Sequence, residues 1–574
     1  MSAIPLAAES FTIRIGGEAG QGTATTAEIL AKIFLRLGYH LFTSKEYASQ
    51  IQGGHNYHNL RVSTQPVKAE TKEINYLLAF NEFTLTKHQE FVAEKGIIFY
   101  DQQYSSALKR KKSVNSVSLP WQKLKQGHIT LMNAIFVGAI VKALGLDFNL
   151  LSEAVQEKFK HKLELQKMFL EAAKTGFGLT STKIQIKPLS SKFNLAYLTG
   201  KDAIVKGALK AGLTFHAQYP MTPVSGILHS LVQEAIKNKN LKVVQPEDEI
   251  AVISMALGAS YAGARAMIAT AGGGFALMVE SLGLAGMAEI PLVIIEGQRP
   301  GPATGLPTKT EQGDLLFVLN AAPGDFPKVV VAPRNAEECY TETKRAFYLA
   351  EKYQLPVIVL VDKHLAESFQ SLDLVKEEKE FRFDSTKRIN LLPEVKTSDL
   401  NPDGLFKRYD NSSRTIPGTK NGMYTCAGDE HDAVGYITEE PEIRIQMMQR
   451  RMHKLDLIAK ELPQPELVGN KKAKTTLLCW GNNFEAVKEA MERLDSKKLN
   501  CLALKYLWPF PTKEVKKLLA ASKGLILIEN NYSGQLGQLI TQKTGIEIKD
   551  KILRYDGLPF TVEEIYAELK KRLK

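Results

Sequence analysis

The chain has 574 residues, 44% of them hydrophobic and 24% charged, which is typical of a globular protein of about three to four domains and excludes a largely disordered chain. The formal net charge is +12, but the basic residues are dispersed, so charge alone does not predict nucleic-acid binding. The four cysteines form no Cys-x-x-Cys pair, which excludes a disulfide scaffold and predicts no zinc or iron–sulfur motif in this chain.

The sequence also lacks the signals of export and membrane insertion. No run of eighteen uncharged apolar residues occurs, and the nearest, residues 129–146, contains Asn133 and Lys142 and indicates a buried helix. The start of the chain has no basic, long apolar segment of the secretory type. We therefore expect a cytoplasmic protein with neither a membrane nor a nucleic acid as partner.

The first third of the chain predicts an α/β unit. A β-prone run at 11–15 precedes a glycine-rich loop at 16–22 and a helical period at 25–37. The remaining predicted strands are 59–62, 76–80 and 96–100, and the predicted helices are 83–95, 130–144 and 150–159. A polar connector follows at 174–194.

The glycine-rich loop at 16–22 permits two interpretations. Free backbone amides at a helix start can hold a phosphate group. However, the spacing of Gly17, Gly20 and Gly22 matches neither the dinucleotide fingerprint nor a P-loop, so a tight structural turn remains an equal alternative.

The middle of the chain alternates strands and helices, which predicts a doubly wound parallel sheet. The pattern predicts helices at 200–211, 275–289 and 336–352 and strands at 265–271, 291–295, 329–332 and 356–361. The turn Gly272-Gly-Gly274 is interpreted either as part of a ligand site at the carboxyl end of a strand or as a crossing point that needs small residues. A polar, irregular excursion follows at about 367–445.

The last stretch predicts a compact parallel α/β domain of about a hundred residues. The predicted strands are 475–480, 500–504 and 524–529, and the predicted helices are 484–494, 513–521 and 534–543. The predicted domains are therefore 1–185, 186–465 and 466–574.

Glu249 is the strongest candidate for chemistry. It opens a helix of small and apolar residues that has almost no polar face, so we expect the helix to be buried and its first carboxyl group to be removed from water. Carboxyl groups removed from water exchange protons more readily near neutral pH. The neighbouring Glu247 and Asp248 are explained by the preference of helix starts for acids.

Two proline-bracketed loops add polar groups. Tyr219-Pro-Met-Thr-Pro223 fixes a hydroxyl group between rigid turns, and the loop at 298–308 places Arg299 at the carboxyl end of the sheet. A guanidinium there suits a carboxylate or phosphate, and a surface or domain-bridging arginine is the alternative.

These motifs together resemble the alpha subunit of 2-oxoacid:ferredoxin oxidoreductases. The resemblance rests on Tyr219-Pro-Met-Thr-Pro223, Glu247-Asp-Glu249, the Ala269–Gly274 turn, and the segments 282–291 and 298–308. The first stretch, with Ile51-Gln-Gly-Gly-His-Asn56, is similar to the family's gamma domain fused ahead of alpha, and segments 422–432 and 529–535 also match. The implied fold is α/β with a gamma-type domain, a thiamine-pyrimidine-binding doubly wound domain and a transketolase-C-like domain.

The resemblance implies the chemistry of a thiamine diphosphate enzyme. Glu249 is expected to hydrogen-bond the aminopyrimidine ring of the cofactor, with Tyr219 and Thr222 beside it, so that the thiazolium carbon becomes nucleophilic. Thr222, Arg299 and Thr308 are expected to contact the 2-oxoacid, which loses carbon dioxide before coenzyme A captures the acyl group. The implied electron acceptor is ferredoxin.

Lys45 provides the hypothesis about the substrate. The resemblance places the loop at 44–55 at the far end of the substrate, where a cation suits the second carboxylate of 2-oxoglutarate but not the methyl group of pyruvate. Pyruvate and branched-chain substrates remain alternatives, an exposed surface lysine is the competing interpretation, and the direction, oxidation or carboxylation, stays open.

The sequence predicts half an active site. It contains no Gly-Asp-Gly triplet of a magnesium–diphosphate motif, although Asn482-Asn483 and Asn530-Asn531 occur. The resemblance implies a beta subunit that holds Mg²⁺, the diphosphate and an iron–sulfur cluster, in an assembly of two alpha and two beta chains. No metal site is predicted in this chain, because adjacent residues such as those of Asp429-Glu-His-Asp432 point in different directions, and we expect that segment to anchor a loop or an interface. A non-catalytic α/β assembly protein is the competing hypothesis.

Overall fold

The computed structural model describes residues 9–49, 53–109, 113–124, 130–189, 195–374, 388–410, 412–494 and 497–573. Parts of four predicted segments lie outside these residues. They are residues 50–52 of the loop at 44–55, residue 129 of the apolar segment at 129–146, residues 190–194 of the connector, and residues 375–387 and 411 of the excursion.

The described strands are, in chain order, β1 (Ser10–Glu18), β2 (His40–Glu46), β3 (His55–Ser63), β4 (Ile74–Ala79), β5 (Val92–Asp101), β6 (Asn115–Leu119), β7 (Ala196–Thr199), β8 (Phe215–Ala217), β9 (Lys242–Val244), β10 (Ala266–Thr270), β11 (Leu292–Gln298), β12 (Val329–Val331), β13 (Pro356–Asp362), β14 (Phe369–Leu372), β15 (Leu467–Gly469), β16 (Thr475–Trp480), β17 (Leu499–Leu504), β18 (Tyr506–Trp508), β19 (Gly524–Glu529) and β20 (Asp550–Leu553).

The described α-helices are α1 (Thr23–Arg36), α2 (Glu82–His88), α3 (Trp121–Leu124), α4 (Thr130–Ala143), α5 (Phe148–Lys158), α6 (Leu163–Gly178), α7 (Gly200–Lys210), α8 (Ser225–Lys237), α9 (Glu249–Tyr261), α10 (Gly272–Met287), α11 (Leu315–Leu319), α12 (Ala336–Tyr353), α13 (Lys363–Glu367), α14 (Pro441–Glu461), α15 (Asn483–Arg493), α16 (Thr512–Ala520), α17 (Gln535–Thr544) and α18 (Val562–Arg572). None of the helices in the described ranges is long and apolar enough to cross a membrane.

The chain divides into two compact units. The N-terminal unit contains residues 1–198 with two later segments, 368–373 and 561–574, and the second unit contains residues 199–367 and 374–560. The last helix, α18, thus belongs to the N-terminal unit. The proposed boundaries of three sequence domains remain predictions.

The N-terminal unit is built on an eight-stranded mixed sheet in the order β6-β5-β4-β1-β3-β2-β14-β7. Strand β1 pairs antiparallel with β3 and parallel with β4. Alternate residues of β1 (Phe11, Ile13 and Ile15) pack into the same buried cluster as residues of α1 and α4, which covers one face of the sheet. The expected α/β class of this stretch is confirmed.

Two expectations for the N-terminal unit were wrong. The predicted helix at 83–95 ends at His88, because the chain turns through Gln89–Phe91 and then enters β5, which pairs with β4. The predicted loop at 16–22 is shorter, since Gly16 and Gly17 lie within β1. A Cβ atom on Gly16 would lie 2.5 Å from Cγ2 of Thr84, so the glycine is required by close packing.

The second unit contains two sheets. The seven-stranded sheet has the order β18-β12-β13-β11-β10-β8-β9 and is parallel apart from β18, as the alternation of strands and helices predicts. The five-stranded sheet has the order β15-β17-β16-β19-β20 and is parallel apart from β15, which pairs antiparallel with β17. Residues of both sheets share one apolar core, so this unit presents a rigid frame to the loops at its strand ends.

Candidate active site

The carboxyl edge of the seven-stranded sheet gathers most of the candidate residues. Tyr219 and Thr222 follow β8, Glu249 begins α9 after β9, and Arg299 follows β11. Strands β8, β10 and β11 are parallel and adjacent, so their carboxyl ends meet at one edge, where ligands of doubly wound folds bind.

Glu249 is buried as predicted, but its helix is not buried all round, since Ile250 and Met255 are exposed. The Glu249 side chain is 4% exposed, whereas Glu247 is exposed and Asp248 caps the helix by accepting a hydrogen bond from the backbone N–H of Ala251 at 2.9 Å. The three acids therefore lie in different environments, and the ordinary helix-capping explanation holds for Asp248 only.

Gly274 provides the space for the Glu249 carboxyl group. A Cβ atom on Gly274 would lie 2.5 Å from Oε1 of Glu249 and would also overlap the hydroxyl of Thr270. The segment 272–274, predicted as a turn, is instead the first turn of α10. Gly272 and Gly274 are needed because the side chains of other elements lie against the backbone there, whereas a Cβ atom on Gly273 would meet no atom within 4 Å among the described residues.

The Glu249 carboxyl group is incompletely satisfied. Its Oε1 atom is buried and has no hydrogen-bond partner within the described ranges. A buried acceptor without a partner is costly, and such atoms mark places where a ligand supplies the missing donor. This carboxyl group fits a group that brings an N–H donor, such as a protonated ring nitrogen.

Arg299 lies beside the Tyr219–Pro223 loop. Its Nη1 donates a hydrogen bond to the carbonyl oxygen of Thr222 at 3.0 Å. Gly297 brings the two segments together, because a Cβ atom there would lie 2.6 Å from Cγ1 of Val224. The guanidinium is half-buried, and burial lowers the pKa of Arg299 although nearby carboxyl groups oppose this.

Tyr219 and Thr308 lie at more open positions. Tyr219 is 39% exposed, and Thr308 is half-buried in a turn further along the loop that follows β11. Two residues later, Thr310 is fully buried and its hydroxyl donates to Asp362 at 3.1 Å. The roles assigned to Tyr219 and Thr308 stay predictions.

Lys45 belongs to the N-terminal unit, whereas the other candidates belong to the second unit. It is half-buried near the end of β2, and its Nζ lies 5.1 Å from the centre of the Tyr47 ring. The side chain lines a cavity of about 560 Å³ together with the start of α1, His58 and Asn133. Lys45 is therefore not a simple surface lysine.

Two acids near Arg299 were not predicted from the sequence. Glu296 is fully buried within β11, and Asp314 lies at the end of the loop that begins with Arg299. A glutamate inside an otherwise apolar strand is a detectable signal, because buried charged groups are rare unless they have a function. Asp314 gives no comparable signal in the sequence.

Gln312 connects this loop to the five-stranded sheet. Its side chain donates to the carbonyl of Trp480 at 3.0 Å and accepts from Nδ2 of Asn483 at 2.6 Å and from the backbone N–H of Asn530 at 3.1 Å. Nδ2 of Asn531 donates a hydrogen bond to the backbone carbonyl oxygen of Gln312 at 2.8 Å. Asn483, Asn530 and Asn531 thus bind this glutamine, and Asn482 binds Asp362 at 2.6 Å, so both Asn-Asn pairs are explained without a magnesium motif.

The acidic segment at 429–432 anchors a loop. Oε2 of Glu430 accepts hydrogen bonds from Arg451 at 2.6 Å and Arg444 at 2.5 Å, both on α14. The residues that the structure describes include no cluster of three His, Cys, Asp or Glu side chains able to hold a metal ion.

Three sequence families match the chain in the order of its domains. Residues 12–179 match "Pyruvate ferredoxin/flavodoxin oxidoreductase", residues 206–450 match "Pyruvate flavodoxin/ferredoxin oxidoreductase, thiamine diP-bdg", and residues 473–565 match "Pyruvate:ferredoxin oxidoreductase core domain II". A 2-oxoacid:ferredoxin oxidoreductase subunit alpha from a Sulfolobus species is 32% identical, over 98% of this chain and 96% of its own length.

The chain belongs to the 2-oxoacid:ferredoxin oxidoreductase family. Within this family it is similar over nearly its whole length to the Mycobacterium tuberculosis 2-oxoglutarate oxidoreductase subunit KorA, which is 28% identical over 97% of this chain and 90% of the relative. A solved 2-oxoglutarate:ferredoxin oxidoreductase from Magnetococcus marinus, with 2-oxoglutarate, coenzyme A and succinyl-CoA bound, is 29% identical and superimposes with a TM-score of 0.89, covering 99% of this chain and all of that chain. The alpha-type organisation with a gamma-type domain in front is confirmed, as is the three-domain α/β class.

We predict that Gly274 is far more sensitive to substitution than its neighbour Gly273. Gly274→Ala would force Glu249 and Thr270 aside and lower the free energy of unfolding by about 1–3 kcal/mol. Gly273→Ala is the matched control, because no atom within the described structure lies within 4 Å of the added Cβ. Urea unfolding of both variants measures the difference, and equal stabilities would contradict the close packing at Gly274.

Proposed function

We propose that this chain is the alpha subunit of a coenzyme A-acylating 2-oxoglutarate:ferredoxin oxidoreductase. The reaction is the oxidative decarboxylation of 2-oxoglutarate to succinyl-CoA and carbon dioxide with reduction of ferredoxin, and the reverse carboxylation uses the same site. The buried, unpartnered carboxyl oxygen of Glu249 is the observation that carries the proposal. The family and the similarity to a 2-oxoglutarate-bound structure support it.

Glu249 is the proposed contact to thiamine diphosphate. Its buried, unpartnered oxygen would accept a hydrogen bond from the pyrimidine ring and would favour the protonated form of the ring nitrogen. When bound, the cofactor supplies a nucleophilic carbon and an electron sink for decarboxylation. The side chains of Tyr219 and Thr222 lie on the adjacent loop and orient the ring, and the burial of Glu249 excludes water from the contact.

Arg299 is the proposed contact to the substrate's 1-carboxylate. Its half-buried guanidinium uses one N–H group to bind the Thr222 carbonyl and retains further donors for a carboxylate. Thr308, in the same loop, adds a hydroxyl group at the edge of the pocket. The substrate and the cofactor then meet at the Thr222 loop.

Lys45 is the proposed contact to the second carboxylate of 2-oxoglutarate. An ammonium group that lines a cavity suits a carboxylate ligand, because opposite charges attract. Asn133 and His58 line the same cavity and add polar character. This arrangement supports a dicarboxylate over pyruvate or a branched-chain 2-oxoacid.

A second subunit is part of the proposal. Helices α9 and α10 pack on each other and are apolar around their circumference, yet they expose Ile250 by 51%, Met255 by 43% and Leu277 by 52%. Exposed apolar patches beside a site mark protein interfaces. We propose that a beta subunit covers this patch in an assembly of two alpha and two beta chains and supplies the diphosphate site, Mg²⁺ and an iron–sulfur cluster that passes electrons to ferredoxin.

We predict that Glu249→Gln in the assembled complex slows hydrogen–deuterium exchange at the thiazolium carbon of bound thiamine diphosphate by about 10²- to 10⁴-fold, because an amide cannot hold the proton. Acid-quenched samples read by NMR provide the rate. The exposed Glu247→Gln is the matched control and should exchange like the wild type. Unchanged exchange in Glu249→Gln would refute the catalytic role.

We predict that the isolated chain neither decarboxylates 2-oxoacids nor reduces ferredoxin or viologen dyes. Turnover by the isolated chain would refute the proposal that it carries only half of the active site.

We also predict that Leu277→Lys prevents assembly with the beta subunit. A buried lysine in the interface lacks a counter-ion and disfavours association. Co-purification and size-exclusion chromatography measure assembly. Leu163→Lys, at a 71% exposed position in α6, is the control that should still assemble.

We predict that Lys45→Met raises KM for 2-oxoglutarate by about tenfold or more, since a charged hydrogen bond is lost, while KM for pyruvate does not rise. Lys45→Arg keeps the charge and should retain most of the preference. Steady-state rates on 2-oxoglutarate, pyruvate and branched 2-oxoacids measure the effect. A parallel loss for all substrates would show that Lys45 does not set specificity.

A further inference from the structure

Two buried polar side chains lie next to the Tyr219–Pro223 loop. His216 belongs to β8, and Gln218 follows the last residue of that strand, where its backbone N–H still donates to the carbonyl of Val244 in β9 at 3.1 Å. Because the two residues are two positions apart in extended chain, their side chains leave the same face of the sheet. Both are 0% exposed.

The side chain of Gln218 joins the two ends of the loop. Its Nε2 donates a hydrogen bond to the backbone carbonyl of Val224 at 3.0 Å. Gln218 immediately precedes Tyr219, and Val224 immediately follows Pro223, so this one bond closes the loop into a ring. Inside the ring, the backbone N–H of Val224 donates to the carbonyl of Met221 at 3.0 Å.

His216 sets the orientation of the Gln218 amide. Nε2 of His216 lies 2.9 Å from Oε1 of Gln218. Since the amide N–H is used for the Val224 carbonyl, the amide oxygen accepts, and His216 carries its proton on Nε2. Burial lowers the pKa of His216 to about 4, so the ring is neutral near neutral pH. A flipped amide would place its oxygen against the Val224 carbonyl, and the bond to His216 opposes that flip.

A second strand, β11, holds the same loop. A Cβ atom on Gly297 would lie 2.6 Å from Cγ1 of Val224 and 3.1 Å from Cδ of Pro223, so the loop packs directly on the strand backbone. Just after β11, Arg299 binds the carbonyl of Thr222. The loop is therefore fixed from β8 through a side-chain hydrogen bond and from β11 through packing and a second hydrogen bond.

The choice of polar residues at these two positions needs a reason. Buried amide and imidazole groups are costly unless their hydrogen bonds are made, and apolar side chains would fill the space without that cost. A hydrogen bond, however, has a preferred direction and length, whereas apolar packing is non-directional. Directional support matters at a reacting centre, because a displacement of about 1 Å can lower a rate about 100-fold.

We propose that Gln218 is a positioning residue for Thr222 and that His216 keeps the Gln218 amide in the orientation this requires. Both side chains are fully buried, so they act through the backbone of the loop. The proposal rests on the proposed function, because the position of Thr222 matters only if Thr222 contacts the 2-oxoacid or thiamine diphosphate.

The first test is Gln218→Met, which keeps the length of the side chain and removes both hydrogen bonds. In the assembled complex, kcat for 2-oxoglutarate should fall by about 10- to 100-fold. KM should change much less, because Arg299 and Lys45 still bind the two carboxylates. Steady-state kinetics measure both constants. An unchanged kcat would overturn the proposal.

Two variants at His216 separate hydrogen bonding from packing, and they remain informative if Gln218→Met fails to assemble. His216→Gln keeps an N–H donor within reach of Gln218, so kcat should stay close to that of the wild type. His216→Leu fills the space without a donor, and kcat should fall by about tenfold. Equal kcat values in the two variants would overturn the proposal.

Ser260 provides the structural control. Its buried hydroxyl donates to the carbonyl of Pro291 at 2.6 Å, just before β11 and in the same unit. This is also a side-chain bond to a backbone carbonyl, but it lies at the amino end of the strand. Ser260→Ala should lower Tm without changing kcat. A loss of kcat as large as that of Gln218→Met would show a general effect of stability and would overturn the proposal.

Thr222→Val separates the positioning role from the proposed function. Because Gln218 acts through Thr222, the double variant Gln218→Met and Thr222→Val should lower kcat by less than the product of the two single losses. A loss equal to that product would overturn the proposal. If Thr222→Val alone leaves kcat and KM unchanged, the proposed function is wrong at Thr222. If Thr222→Val lowers kcat but Gln218→Met does not, the positioning proposal fails alone.

Discussion

The close approach of the Glu249 carboxyl group to Gly274 is the contact on which the site depends. It requires a backbone without a side chain at the start of α10, and it requires α9 to bring a charged group into an apolar layer. Both conditions oppose stability, because a buried carboxyl oxygen without a partner is costly and glycine disfavours a helix. The site is thus built at the expense of local stability, and the apolar core shared by the two sheets of this unit offsets that loss.

Much of the fold could be predicted because hydrophobic blocks of the sequence match the secondary structure. The strands at 475–480 and 524–529 agree with the structure to the residue, since each is a short apolar run followed by a clear helix. The glycines at 16–17 and 272–274 predict turns, but they lie in β1 and in α10. There Gly16, Gly17, Gly272 and Gly274 make room for neighbouring side chains, which only the tertiary structure reveals.

The site was predictable in part for the same reason. The burial of Glu249 follows from the composition of its own helix, which is local information. The proximity of Arg299 to Thr222 required the family resemblance, because the two residues lie on different strand ends. Asp314 could not be found, since its position depends on a loop returning to α10 and on contacts made by distant residues.

Those distant contacts converge on Gln312, whose amide and backbone bind residues from the ends of β16 and β19. A gene rearrangement that exchanged the last domain would therefore have to carry matching asparagines, or the loop bearing Asp314 would lose its attachment. Gln312 and its four partners, Trp480, Asn483, Asn530 and Asn531, are therefore expected to be inherited as a set. The C-terminal sheet and the pocket that it supports would then evolve together.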